Sequence, residues 1–512
     1  METLSDEIWD VVIVGTSIPQ SLLALSLSRS GKKVLHVDRH SYYGGDDAGL
    51  SLQDAEDWVQ DLNRSSSTVF RTPSVWRPTR RDEDESAIKS GSSRSYTLSL
   101  NPQIIYARSD FLPKLVSSRI HSQLEFLAVG SWWVHRDGAL HKIPSTREDV
   151  FNDTSLSMKD KRALMKFLRY VLQEDAEESL DQEEETSMSL QAALDTKFKV
   201  PKSLQPPLLA LALSPVAADF LSFNKALARI RRHLRSMGHF GPGFGAVIAK
   251  YGSTSEISQV ACRAGAVGGG VYLLGHELKQ LDSVDEDSSR IGDKGDSMSL
   301  LEGTLSDGTR IKTRFVAGSV DDLSPLQQTL SDVTPSTGTW KSINIVADPL
   351  KALFPQTSDN GPVPAAAIVL IDRGDEESDK SPIYLQIHTE DTGECPAGQC
   401  IIYASLAADD EAAKDRLQSA VNSFIETAGV KDSLLWSLSY LVLGPAEEPD
   451  SSYPPLRKHS SQVLVFSPEP YDISFPDGVL DAVKEAWTTI LGASAADDTF
   501  LHFEEGEAEV EQ

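Results

Sequence analysis

Gly15-Thr16-Ser17-Ile18-Pro19-Gln20, followed by Asp38, has the frame of a dinucleotide-binding fingerprint that lacks two of its glycines. In that fingerprint the first glycine makes a tight turn and the second lets backbone approach a pyrophosphate. The third packs helix on strand, and an acidic residue about twenty positions on holds a ribose hydroxyl. Gly15 and Asp38 stand in their places, but Ser17 and Gln20 replace the other glycines. Ser17 puts a side chain where phosphate would approach, and Pro19 removes one N–H donor at the helix entry. Two readings follow: poor dinucleotide binding, or a nucleotide-binding fold turned to another use. The second is the expectation, with no cofactor bound through Gly15, Ser17, Gln20 or Asp38.

The elements around this loop are those a βαβ unit needs. Trp9 to Val14 is an apolar run fit for a first parallel strand, residues 20–30 suit a packed helix, and Gly31 closes it. Lys33 to Val37 then predicts a second strand ending at Asp38. Residues 62–95, rich in Ser, Thr, Arg and Asp, read as a flexible insertion. Ala128–Val134 and Gly138–Ile143 predict a hairpin turning at Arg136-Asp137-Gly138. Ser157 to Leu172 is a helix with Ser157 as its cap and Leu164, Phe167, Leu168, Val171 and Leu172 along one face. An acidic loop spans 174–185, and residues 189–235 read helical between prolines. Strands are predicted at Ile343–Val346, Ala366–Ile371, Ile383–His388 and Cys400–Ser405, with helices near 409–428 and 478–491.

The fold class is therefore α/β: a flavoprotein-like, multi-sheet domain with an inserted, mostly helical second domain. Its expected bounds are 1–110 with 238–512 for the first, 111–237 for the second, and an acidic tail over 505–512. At 512 residues two domains are expected. The 48 basic and 76 acidic residues leave a formal charge of −28, which disfavours nucleic acid as a partner. Cys262, Cys395 and Cys400 fit a reducing compartment, and no zinc spacing surrounds them. The chain has no run of eighteen apolar residues, no leader pattern and no terminal prenylation box, so a cytoplasmic protein with only peripheral membrane contact is expected.

Gly31-Lys32-Lys33-Val34-Leu35-His36-Val37-Asp38 through Tyr42-Tyr43-Gly44-Gly45 resembles the first block of the Rab GDP-dissociation inhibitor and Rab escort protein superfamily. The paired Tyr before paired Gly is its specific part. Val150-Phe151-Asn152-Asp153 through Lys161-Arg162-Ala163-Leu164-Met165-Lys166-Phe167-Leu168 resembles the escort branch, which carries V-F-N and then E-K-R-x-L-M-K-F-L. Tyr251-Gly252 to Leu274 is similar to the family's Y-G-x-G-E-L-P-Q…R…G-G-x-Y run, here with Ser255-Glu256-Ile257-Ser258-Gln259 and a longer Ser253-Thr254-Ser255 lead-in. Tyr471-Asp472 to Leu491 is compatible with the family's closing strand and helix.

The resemblance implies a non-catalytic escort that binds newly made, GDP-bound Rab GTPases, presents them to Rab geranylgeranyl transferase and delivers them to membranes. Tyr43, Glu256, Gln259 and Arg263 match the family's Rab-binding positions. On spacing alone the last three would share a solvated helix face. Phe151 and Arg162 match the positions that dock the transferase α subunit; without the resemblance they read as a hydrophobic staple and a solvated charge. Implied partners are the Rab, the α subunit, the geranylgeranyl lipid of the Rab and, transiently, a membrane surface. The alternatives are a Rab GDP-dissociation inhibitor that recycles prenylated Rab and, further off, an FAD-dependent oxidoreductase. The missing glycines count against the oxidoreductase.

Overall fold

The computed structural model describes residues 4–64, 67, 69–78, 91–144, 157–173, 188–284, 299–323, 326, 336–356, 361–373, 381–445, 454–468 and 472–503. In chain order its main elements begin with β1 (Ile8–Val14), α1 (Ile18–Arg29), β2 (Val34–Asp38), α2 (Leu52–Arg64), β3 (Phe70–Trp76) and α3 (Phe111–Ser117). Next come β4 (Phe126–Arg136), β5 (Ala139–Lys142), α4 (Met158–Leu172), α5 (Gln205–Ala212), α6 (Phe223–Ser236) and β6 (Ala246–Ala249). The middle of the chain supplies α7 (Thr254–Val267), β7 (Val271–Leu274), β8 (Leu278–Val284), β9 (Leu300–Leu305) and β10 (Arg310–Ser319). Then follow β11 (Ser336–Val346), β12 (Ala366–Ile371), β13 (Ile383–Thr389), β14 (Cys400–Ala407) and α8 (Glu411–Thr427). The chain closes with β15 (Leu434–Pro445), β16 (Leu456–Lys458), β17 (Val463–Phe466) and α9 (Gly478–Leu491).

The first sheet runs β7-β2-β1-β10-β9-β8, with β17 also on β10 and β16 on β17. Strands β7, β2, β1 and β10 are parallel, as crossover helices require, and β9 and β8 add an antiparallel meander. Helix α1 is buried from Gln20 through Ser28 and carries mostly apolar or small residues there: Leu22, Leu23, Leu25 and Leu27 lie in one core with α7 and α9 residues such as Val260, Val483 and Trp487.

The second sheet is larger, in the order β3-β15-β11-β14-β13-β12-β4-β6, with β5 paired to β4. Asp137 and Gly138, both at positive φ, make the predicted two-residue turn between β4 and β5. Helices α4, α5 and α6 cover one end of this sheet, where Phe167, Leu208 and Ile230 share a core with Trp132 and Ile368. The periodic stripe of α4 is thus core: Leu164, Phe167 and Val171 are buried.

Two expectations need correction. The stretch 62–95 is not wholly a flexible insertion: α2 runs through Arg64, and β3 pairs with β15, Phe70 facing Val442 and Val75 facing Leu438. Phe70 is buried against Trp58 and Tyr440, and this tertiary contact outweighs the polar composition around it. The segment 111–237 is not mostly helical in its first part: after the short α3 it forms the strands β4 and β5 before α4. Phe111, Leu115 and Ile120 of its first part pack into the core around α1, and β4 sits inside the second sheet between β12 and β6. Residues 174–185 and 505–512 lie outside the described residues.

Candidate functional site

The fingerprint loop is filled from within. Gly15 (φ +88°) turns the chain, and a Cβ there would overlap the carboxylate of Asp322, on the loop after β10. Asp322 Oδ2 accepts from Gln20 Nε2 at 3.1 Å and from Ser319 Oγ at 2.6 Å. The Ile18 N–H, at the start of α1, donates to Asp47 Oδ2 at 3.2 Å. Asp38 is equally committed: Thr16 Oγ1 donates to it at 2.5 Å, and the His40 N–H and Nδ1 reach it at 2.7 and 3.0 Å. Burial acts to raise the Asp38 pKa, but the His40 and Thr16 hydrogen bonds outweigh it and hold the group below its ordinary value. Burial raises Asp322 to about 6 against the opposing charge of Arg39. Pyrophosphate, helix N-terminus and ribose acid positions are all taken by the chain's own groups. A dinucleotide does not fit these residues, and no step through one is derived.

The loop after β2, which carries Tyr43, is tied to this one. Thr16 Oγ1 accepts from the Gly44 N–H at 3.0 Å, so the Tyr42-Tyr43-Gly44-Gly45 segment is bonded directly to the fingerprint turn. Gly44 (φ +105°) has no room for a side chain, because a Cβ would press on the Ala48 backbone. Tyr43 is partly buried and meets Tyr272 of β7 edge-on, ring centres 6.2 Å apart. Burial, with Cys262 and Asp38 nearby, raises its hydroxyl pKa.

Helix α7 stands on the other side of Tyr272. Its Ile257, Val260, Ala261 and Ala264 face the core, while Glu256, Gln259 and Arg263 lie on the opposite side. The predicted shared face is therefore present, with Arg263 exposed and the other two partly buried. Burial raises the Glu256 pKa, and Arg263 opposes that shift. Cys262, on the same turn as Gln259 and Arg263, lies near Tyr43 and has its thiol pushed up to about 12 by burial.

The residues that depart from the family pattern have their own work. Ser253 Oγ donates to the Gln103 carbonyl at 3.0 Å, and Thr254 Oγ1 donates to the Asn101 carbonyl at 2.5 Å. These bonds anchor the longer lead-in to the start of α7. The sequence over Val267 to Leu274 reads as a glycine turn feeding a strand, which β7 is, but sequence reasoning missed the contact of its Tyr272 with Tyr43. Strand β7 is an edge strand of the first sheet whose Tyr272 meets Tyr43, and Val267 at the end of α7 (73% exposed) adds apolar surface on the Arg263 side of that helix. The glycine turn between two uncharged, apolar positions was the available signal.

Arg162 lies on the exposed side of α4 with Lys159, Lys166 and Arg169. Ser157 caps that helix by accepting from the Asp160 N–H at 3.2 Å. Phe151, its expected companion, lies outside the described residues. Among the described residues no helix is long and apolar enough to cross a membrane, and no cluster of metal-ligating side chains is present.

Comparison with known proteins shows the family and the fold. The chain is 36% identical over 274 residues to "Rab proteins geranylgeranyltransferase component A" of Saccharomyces cerevisiae, covering 52% of this chain and 43% of that one. The protein of the same description in Candida albicans is 28% identical over 432 residues, covering 83% and 63%. The chain thus spans less than two thirds of these two relatives' length. Among solved structures, Rab GDI of Plasmodium falciparum shares the fold with a TM-score of 0.63 at 20% identity, covering 96% of this chain and 99% of that one. An oxidoreductase of Methanosarcina mazei shares it at 0.56 and 13% identity, covering 93% and 99%. The fold is thus common to a Rab GDI and an oxidoreductase. Residues 5–347, from the filled fingerprint through the Tyr43 loop and α7 to β11, match the family model described as GDP dissociation inhibitor, and the chain belongs to that family.

Proposed function

We propose that this chain is a Rab escort protein: a non-catalytic carrier that binds newly made, GDP-bound Rab GTPases and presents them to Rab geranylgeranyl transferase. The observation that supports this reading is Tyr43 set against Tyr272 beside α7, whose Glu256, Gln259 and Arg263 share one side with exposed Val267. A mixed aromatic, charged and apolar face on rigid elements is suited to gripping a protein surface. The names of the yeast relatives favour the escort over the recycling role. In this reading Phe151 and Arg162 dock the transferase α subunit, and the carrier covers the geranylgeranyl lipid until a transient membrane contact releases it. The carrier works in the cytosol. Each buried lipid CH₂ is worth about 0.8 kcal/mol, so an uncovered chain would adhere to the nearest membrane.

The deciding experiment is geranylgeranylation of an unmodified Rab by purified transferase, with and without this protein. Stimulation that falls with Phe151→Ala or Arg162→Glu supports the escort reading. Absence of stimulation, with soluble complexes formed only by prenylated Rab, would replace it with the GDP-dissociation-inhibitor reading that the family name also allows.

A further inference from the structure

The fingerprint keeps the features that make the start of a helix an anion site. Gly15 retains its turn, α1 still points its N-terminus at the loop, and the N–H groups of a first helical turn favour negative charge. Two carboxylates from distant segments occupy that site. Asp322 reaches it from the loop after β10, with Ser319 and Gln20 donating to it. Asp47 reaches it from the turn that directly follows Gly44-Gly45 and takes the Ile18 N–H. The replacements in the motif match this occupancy. Gln20, at the third glycine's place, is the side chain that holds Asp322, and Ser17 Oγ in turn donates to Gln20 Oε1.

The arrangement also has a counter-charge and a strut. Arg39, on the loop between β2 and Tyr43, pairs with Asp321 and lies near Asp322. Asp47 Oδ1 accepts from Asn101 Nδ2 at 3.0 Å, and Asn101 Oδ1 accepts from Lys341 Nζ of β11 at 2.8 Å. The 39–48 loop is therefore fastened at three points: Arg39 to the loop after β10, Gly44 to Thr16, and Asp47 to α1 and the second sheet.

We propose that Asp322 and Asp47 stand in for a bound pyrophosphate and act as positioning residues: an anion site kept from a nucleotide-binding fold is filled from within and latches the loop that presents Tyr43. The inference rests on the reading of Tyr43 as GTPase-facing, but its primary readout does not need a GTPase.

The test is removal of one carboxylate and its replacement from solution. In Asp322→Gly the full-length chain is followed by amide hydrogen exchange of residues 39–48 at about pH 8, where an ionised carboxylate is the native state of the site. The expected result is faster exchange in that loop, reversed by sodium acetate but not by sodium chloride of equal ionic strength. Asp47→Gly is expected to behave alike, and Asp322→Asn, which keeps the acceptor oxygen, should fall between wild type and Asp322→Gly. Rab affinity is measured on the same samples, with a loss of about tenfold or more expected and partial recovery in acetate. Unchanged exchange in both glycine variants, or acceleration that acetate and chloride affect equally, overturns the proposal. Should Asp322→Gly not fold, Ser319→Ala frees the same carboxylate from one donor and must show the loop acceleration in milder form. A wild-type protein that binds no Rab would remove the GTPase reading while leaving the exchange result to decide the latch.

Discussion

Lys341 offers a quantitative test of the packing between the two sheets. Its side chain is buried where β11 faces Asn101, donating to Asn101 Oδ1 at 2.8 Å, with Asp47 and Asp472 as the nearest anions. Burial lowers the ammonium pKa from 10.5 to about 7, and the two aspartates only partly oppose it. Between those values the unfolded chain binds more protons at this residue than the folded one, so folding stability rises with pH across the window. Integrating from pH 7 to pH 9 gives a gain of about 2 kcal/mol from this one group. Lys341→Met keeps the length of the side chain and removes the proton. Its static cost, an unanswered Asn101 oxygen and a less compensated Asp47, is largely common to both pH values and drops out of the comparison. Denaturant unfolding of both proteins at pH 7, 8 and 9, read by tryptophan fluorescence, should show the wild type gaining on the variant by that amount. A difference that stays flat, or falls as pH rises, would refute the reasoning. It would mean that Asp47 and Asp472 hold the ammonium charged in spite of its burial.

Gly15→Ala should destabilise the chain by about 2–4 kcal/mol, because φ is +88° and the new Cβ meets the Asp322 carboxylate; Asp322→Gly in the same chain should recover part of the loss in urea unfolding. Tyr43→Ala and Arg263→Ala should each weaken Rab binding by about 1–2 kcal/mol in titration calorimetry, whereas Lys312→Ala, on β10 away from that face, should leave it unchanged. Phe167→Ala removes a fully buried ring seated edge-on to Phe198 and should cost about 3–5 kcal/mol of stability by chemical denaturation. Arg162→Ala on the exposed side of the same helix should change stability by less than about 0.5 kcal/mol while reducing capture of the transferase in pull-down.

What was legible in the sequence was what local chemistry decides. Strand β1, helix α1 and strand β2 followed from an apolar run, a packed helix and the Gly31 stop, and the β4–β5 hairpin followed from Asp137-Gly138. Helix α4 announced itself through Ser157 and a period of three to four. Strand β3 was hidden because Phe70 and Val75 gain their place only from β15, which lies far along the chain. The four residues matched to the Rab-binding positions were readable as motifs, yet nothing local says that Tyr272 joins Tyr43 to α7. The loss of two fingerprint glycines showed that a dinucleotide would fit poorly. It did not show what fills the space, since Asp322 is supplied by a loop some three hundred residues later.

The second sheet closes the junction beside Lys341 with its own polar side chains. A small-molecule enzyme needs a roomy cavity at the junction of its layers, with a few convergent polar groups free to engage a substrate. Here the polar face of the second sheet spends those groups on the protein itself. Tyr440 donates to the Leu100 carbonyl at 2.7 Å, Gln386 to the Pro102 carbonyl at 3.0 Å, and Tyr384 to the Leu209 carbonyl at 3.2 Å. Tyr403 donates at 3.0 Å to Glu394, which also meets His388 at 2.8 Å. A cavity of about 600 Å³ lies between the helices and β12, lined by Arg136, Leu190, Gln205 and Asp372 among others, whereas the cavity left beside Lys341 is about 30 Å³, room for a water or two. The same side chains that close this junction tie the 98–103 segment to the second sheet, and through Asn101 and Asp47 they reach the loop that holds Tyr43. Filling this junction therefore stiffens the base on which the Tyr43 loop stands.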